Sequence, residues 1–215
     1  MPSFREMLET ASRWQEFPAL ERVSGGVALT FDDGPDPDGT PLVLDALDAA
    51  GVHATFFLVG EQLMKHHAVA REALARGHEL GLHGFEHVRH DSLPGRMAAD
   101  DVARSIGTFE AAVGQRPRFF RPPYGLFNEA SYGACADLGL EPVYWSAWGL
   151  DWETIAAERI AEIVTRDLAD GAVVLLHDSA RYAERTSAAP TAEAIGPIVA
   201  HAASLGLKLG PLGSF

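Results

Sequence analysis

The sequence holds a single cysteine, Cys135, so no intramolecular disulfide can form and nothing marks an oxidising compartment. Set in an apolar helical pattern, it reads as a buried structural thiol. Basic residues are scarce: 17 Lys and Arg stand against 30 Asp and Glu, a formal net charge of −13. That balance repels phosphate backbones and anionic lipid surfaces, so neither nucleic acid nor membrane is expected as a partner. No uncharged apolar run approaches the roughly 20 residues of a membrane span. Arg5, Glu6, Glu9, Arg13 and Glu16 leave no room for the apolar run, about 7 to 15 residues, of a signal peptide, and a cytoplasmic location is expected. A G-x-S-x-G elbow, a strand-end cysteine and a glycine-rich phosphate loop are missing too, which removes the usual bases for Ser or Cys nucleophiles and for phosphate cradling. Nothing in the sequence specifies an oligomeric state.

What is present is an ordinary globular composition, 47% hydrophobic and 22% charged over 215 residues, which suits one domain spanning 1–215. Short β-type runs at 27–31, 54–59, 78–82, 118–120, 142–145, 172–176 and, weakly, 207–209 alternate with amphipathic segments near 40–50, 61–76, 95–113, 128–138, 155–169 and 191–204. Alternation of this kind predicts an α/β protein with a parallel sheet. Strands such as 172–176 are apolar on both faces, as where helices cover a sheet or barrel. A barrel smaller than the eight-fold version fits best, with an open doubly wound sheet second.

In such folds the carboxyl ends of the strands converge, and polar residues there do not serve packing. Asp32 and Asp33 follow the first strand, His83 and His87 the third, and Asp151 lies beyond the fifth; His177 and Asp178 end the sixth. Adjacent aspartates diverge, so one can bind a metal while the other faces a reactant. His83 and His87, four apart, can chelate one ion if they lie on a helical turn, although H-x-x-x-H alone is a weak signal. Gly84 and Glu86 do not match H-E-x-x-H, which disfavours a metallopeptidase. Two imidazoles plus a strand-end carboxylate suit zinc with an open position. In Arg121-Pro122-Pro123-Tyr124-Gly125 the prolines lack N–H groups, so Tyr124 offers the first amide donor after Arg121. That donor suits an oxyanion, and Arg121 can orient a carboxylate. Leu175 and His177 share a strand face, setting an apolar floor beside a proton donor or acceptor. The other histidines, His53, His66, His67, His78, His90 and His201, read as solvated or structural.

Five segments in fixed order, TFDDGP at 30–35, HGFEH at 83–87, RPPYG at 121–125, LDW at 150–152 and LLH at 175–177, make the chain resemble the polysaccharide deacetylases, carbohydrate esterase family 4, of chitooligosaccharide and peptidoglycan deacetylase type. The resemblance implies a distorted (β/α) barrel of about seven strand-helix units, with the motifs inside 27–178. It further implies Asp32 as general base, oriented by Arg121, and Asp33, His83 and His87 as ligands of a divalent metal, zinc before cobalt or another ion. The Tyr124 amide would hold the oxyanion and His177, supported by Asp151, would be the general acid. Leu175 would form the acetyl floor and Trp152 would line the groove.

Two positions depart from the pattern. Gly84 stands where Ser or Thr is usual, which puts metal affinity in question. Trp148 stands where a further acid is common and adds aromatic surface near the groove. The expected activity is metal-dependent removal of N-acetyl groups from N-acetylglucosamine-containing oligosaccharides or glycoconjugates, with a small or oligomeric acetylated saccharide as partner. The alternatives are a non-sugar amide, formyl or cyclic ureide or imide hydrolase on the same fold and, from another class, a catalytically silent glycan-binding module.

Overall fold

The computed structural model describes residues 17–215, so the charged opening segment from Arg5 to Glu16, on which the cytoplasmic expectation leans, lies outside the described residues. Eight strands form one curled parallel sheet: β1 (Val27–Asp32), β2 (Thr55–Leu58), β3 (Glu79–Leu82), β4 (Phe119–Phe120), β5 (Glu141–Pro142), β6 (Ala147–Trp148), β7 (Val173–His177) and β8 (Leu209–Gly210). Their order is β5-β4-β3-β2-β1-β7-β6, and β8 pairs with the first two residues of β1. Among the described residues six helices, α1 (Thr40–Ala50), α2 (Gly60–Ala75), α3 (Gly95–Val113), α4 (Glu129–Asp137), α5 (Ala157–Asp167) and α6 (Ala189–Ser204), cover its outer face. They touch in the order α4-α3-α2-α1-α6-α5, which repeats the order of the strands beneath them. This is the expected α/β fold, a distorted barrel whose parallel sheet curls as a half-barrel. Among the described residues no helix is long and apolar enough to cross a membrane.

The two-residue period of the strands divides the core into two layers. Val27, Leu29 and Phe31 of β1, Phe56 and Leu58 of β2, and Val174 and Leu176 of β7 pack outward under the helices. The alternate residues Ala28, Phe57, Phe119 and Val173 fill the interior, joined there by Val143 and Leu212. Continuing that inward row towards the carboxyl ends replaces hydrocarbon with Thr30, Asp32, Arg121 and His177, all buried. Fold and site are thus two halves of one stripe.

The predicted strand at 142–145 is regular only at Pro142, the end of β5, with an isolated bridge at Val143; the chain rejoins the sheet as β6, beyond the predicted bounds. Leu20 pairs with Val143, and Arg121 takes the Tyr144 carbonyl at 2.9 Å, so two backbone groups of the intervening stretch go to partners outside the sheet's regular pairing. Arg22 bridges Ala172, so residues 20–22 span between the β5 side and β7. Cys135 is buried, as expected of a packing thiol.

Candidate active site

Asp33 follows β1 in the left-handed region, φ 85°, and its carboxylate meets His87 while that of Asp32 is bonded to Arg121, both lying within 4 Å of His83 Nε2. His83 and His87 flank the bend after β3. The helical turn expected for this pair is not formed: residues 83–87 are a loop with Gly84 at φ 76°, and the rings converge by that route instead. The ring centroids are 5.2 Å apart. Asp33 Oδ1 lies 3.1 Å from His87 Nε2 and 3.6 Å from His83 Nε2, and one ligand atom from each of the three residues lies within 4.8 Å of the others.

The donor set fits a cation. His83 Nδ1–H donates to the Arg121 carbonyl at 2.9 Å, which turns the lone pair of Nε2 towards Asp33. Burial depresses the His83 pKa to about 4 against the opposing charges of Asp32 and Asp33, so the ring is neutral, the form that ligates. Burial opposes ionisation of Asp33, yet His87 and the other nearby imidazoles hold its carboxyl below the usual carboxylate range. Both Asp33 oxygens are buried and lack a hydrogen-bond partner among the described residues. A buried anion with no donor is costly unless a cation meets it.

The Gly84 departure has a structural counterpart. Asp101 on α3 accepts from the N–H of Phe85 at 2.8 Å and of Glu86 at 2.9 Å, and from His90 Nε2–H at 3.1 Å. A Cβ on residue 84 would come within 3.0 Å of Asp101 Oδ1 and 3.1 Å of both Glu86 O and Pro123 Cγ. The loop between the two histidines is therefore held by a carboxylate 17 residues downstream in the place where a residue-84 hydroxyl would have crowded it.

Two charged pairs flank this cluster. Fully buried Arg121 donates from one guanidinium nitrogen to Asp32 Oδ1 at 2.7 Å and to Thr30 Oγ1 at 2.8 Å, with Phe57 4.2 Å from the guanidinium carbon. Asp32 Oδ2 stands 3.8 Å from His83 Nε2. Across the sheet, where Asp32 and His177 are register partners, His177 Nδ1–H donates to Asp151 Oδ1 at 2.8 Å. Burial alone would lower the His177 pKa, but Asp151, Asp33 and Asp32 raise it to about 9. Tyr124, at φ 59°, places its ring 4.7 Å from His87. Trp152 is buried edge-on against His177 and clusters with Leu175, so it shapes a pocket wall and offers little open face; Trp148 is only partly buried and packs on the same cluster. All the candidate residues from the sequence meet at this one end of the sheet.

Other contributors escape a reading of motifs. Arg185 bonds Thr191 and the His177 carbonyl and lies 3.4 Å from Asp151, whose Oδ2 also accepts from Thr191 at 2.6 Å. Asp178 accepts from Gly34 N–H at 2.9 Å and Thr40 Oγ1–H at 2.5 Å, tying the turn after β1 to β7; burial and the Asp33 charge push its pKa to about 7. Tyr182 stacks on His87. His78 and His90 are buried and structural.

A curled parallel sheet with a buried Asp-His-His cluster between two charged pairs at its strand ends defines an α/β protein of the half-barrel type with its chemistry at the carboxyl rim. The chain belongs to the polysaccharide deacetylase family, whose profile matches residues 21–143. It is 34% identical over 188 residues to a peptidoglycan-N-acetylglucosamine deacetylase of Bacillus cereus, covering 86% of each chain. It is 34% identical over 199 residues to a chitooligosaccharide deacetylase of Bradyrhizobium, covering 88% of this chain and 91% of the other. Among solved structures, a peptidoglycan N-acetylglucosamine deacetylase in complex with an N-oxidanyl-benzamide superposes with a TM-score of 0.84 at 28% identity, over 95% of this chain and 96% of that one.

Proposed function

We propose that this protein is a metal-dependent N-deacetylase acting on N-acetylglucosamine-containing oligosaccharides or glycoconjugates. The observation that carries the reading is Asp33: a buried, ionised carboxylate whose oxygens lack a hydrogen-bond partner among the described residues, facing the Nε2 atoms of two imidazoles and flanked by Asp32–Arg121 and Asp151–His177. Asp33, His83 and His87 would hold a divalent ion, zinc by its donor preference, and the ion would supply polarisation of the acyl carbonyl and of water.

The chain's own residues account for the proton movements. Asp32, fixed by Arg121, removes a proton from the attacking water as its oxygen bonds to the acyl carbon. The Tyr124 N–H faces the oxyanion that forms. An amine leaves only when protonated, so His177 enters as the imidazolium, donates to nitrogen as the C–N bond breaks, and releases acetate and the free amine. Asp151 keeps that imidazolium charged near neutral pH. Leu175 and Trp152 form an apolar cluster beside His177, a surrounding that suits the methyl of an acetyl group better than a formyl hydrogen.

Acetate release from metal-loaded protein, measured side by side on chitooligosaccharides, chitin polymer, peptidoglycan fragments, acetylated xylan, a formyl-amide sugar and a cyclic ureide, tests the reading. Short β-linked N-acetylglucosamine oligomers are expected to turn over fastest. Faster turnover of the formyl compound or the ureide overturns the acyl assignment, and no turnover of any substrate would point to a glycan-binding module.

A further inference from the structure

The two histidines of the cluster are oriented by different means. His83 has the usual outer support of a metal-ligating imidazole, an Nδ1–H bond to a backbone carbonyl. His87 has none: its Nδ1 is buried and lacks a hydrogen-bond partner among the described residues, although the side chain is only 5% exposed. A ring with no such bond needs another restraint if Nε2 is to stay directed at Asp33. The contacts supply one. Tyr182, in the loop between β7 and α6, lies parallel to the His87 ring, with centroids 4.1 Å apart and planes inclined by 17°. Tyr124 stands on His87 as well, at 4.7 Å and 51°. The Tyr182 ring is itself tethered: its hydroxyl donates to Glu61 Oε1 at 2.9 Å and accepts from Gln62 Nε2 at 2.9 Å, both on the first turn of α2.

We infer that Tyr182, which lies outside all five motifs, is a positioning residue that fixes the ligating orientation of His87 by stacking, in place of the missing Nδ1 hydrogen bond. Parallel stacking blocks rotation of the imidazole about its Cβ–Cγ bond, and the tether to α2 stops the phenol ring from following it. The inference rests on the metal reading above. It assigns to the loop after β7 a share in metal affinity that spacing in the sequence cannot show.

The test is the zinc dissociation constant, measured by competition with a chromophoric chelator, for the wild type, Tyr182→Phe, Tyr182→Leu and Glu61→Ala, together with melting temperatures of the metal-free proteins. Tyr182→Leu is expected to weaken zinc about tenfold or more, the size of effect seen when outer support of a ligand is lost. Tyr182→Phe keeps the ring and loses the tether, so its affinity falls between those two proteins, as does that of Glu61→Ala. Metal-free melting temperatures near wild type would separate positioning from general packing. Wild-type affinity in Tyr182→Leu overturns the inference while leaving the metal reading intact. A wild type that binds no zinc overturns both. Should Tyr182→Leu fail to fold, Tyr182→Phe and Glu61→Ala decide the matter, since wild-type affinity in both would remove the tethered ring from the account.

Discussion

Asp33 and Asp151 are both completely buried, and in both the opposing pull of neighbouring cations outweighs burial and holds the carboxyl below its ordinary pKa. Their surroundings are opposite. Asp151 is saturated: it accepts from His177 Nδ1–H, His177 N–H and Thr191, with Arg185 at 3.4 Å. Asp33 has no comparable set of donors among the described residues: its oxygens are buried without a well-formed hydrogen bond, and the nearest polar group is His87 Nε2, 3.1 Å from Oδ1. A saturated buried carboxylate has finished its work inside the chain, here the orientation and charging of His177. One without such donors leaves lone pairs free for a further cation beside its imidazole neighbours, the place the proposed ion would take. The contrast, more than burial or charge taken singly, separates the proposed metal half of the site from the proposed proton half.

The strongest test of the contrast is removal of each carboxylate. Asp33→Ala is expected to take bound metal from one ion per chain to background, with deacetylation lost and the fold retained, because no internal bond is broken. Elemental analysis with circular dichroism checks this, and full metal retention would remove Asp33 from the ligand set. Its neighbour should fail differently. Asp32→Asn is expected to keep metal and lose roughly 100-fold or more in kcat, the range of a general base. A nearly fully active Asp32→Asn would send the search for the base elsewhere.

Asp151→Asn should instead show itself in stability. It strands the Arg185 cation and the His177 ring in the interior, and loss of one partner from a buried charged set costs about 3 to 5 kcal/mol. Chemical denaturation reads that loss; a change under about 1 kcal/mol would mean that the network is not saturated in solution.

The pH dependence sharpens the same division. With its pKa raised from 6.5 to about 9, folded His177 stays protonated at pH values where the unfolded chain has lost the proton. Its contribution to stability is therefore complete below about pH 6.5 and is lost as pH rises through about 9. Activity that needs the imidazolium should fall over an alkaline limb at or below that upper value, lower in the metal-loaded enzyme because a cation at Asp33 cancels part of the negative charge that raises His177. Rate profiles of His177→Ala should lack the limb, and an unchanged limb would exclude His177 as the acid.

Much of this was legible in the sequence because strand ends advertise themselves: an apolar run that stops at Asp32, His83, Arg121 or His177 marks both the element and the rim. The sheet, the helix positions and the convergence of the motif residues follow from period and order. What was not legible depends on long-range partners. Arg185, Thr191 and Asp101 carry no motif, and their partners lie up to 40 residues away in the chain. The predicted strand at 142–145 leaves the sheet after Val143, where a buried guanidinium and the segment at Leu20 engage its backbone, and no local pattern announces either. The helical turn expected for His83 and His87 was a spacing argument, and spacing alone cannot distinguish a turn from a bend with glycine in the left-handed region.

That bend gives the smallest and most discriminating prediction. Ser or Thr at position 84 is the commoner pattern, so Gly84→Ser looks like a repair that should tighten metal binding. The geometry argues the reverse. Position 84 sits at φ 76°, where a side chain costs about 1 to 2 kcal/mol, and its Cβ would press on Asp101 Oδ1, Glu86 O and Pro123 Cγ at 3.0 to 3.1 Å. The oxygen crowded first is the one that holds Phe85 N–H, so strain at residue 84 passes directly into the loop carrying His87. Gly84→Ser is therefore expected to lower stability by about 1 to 2 kcal/mol and to weaken zinc modestly. Asp101→Asn, which exchanges a carboxylate for an amide facing backbone donors, should weaken it more. Chelator competition on both variants decides: tighter binding in Gly84→Ser would show that the loop lacks support which a hydroxyl can restore, and that Asp101 does not hold it alone.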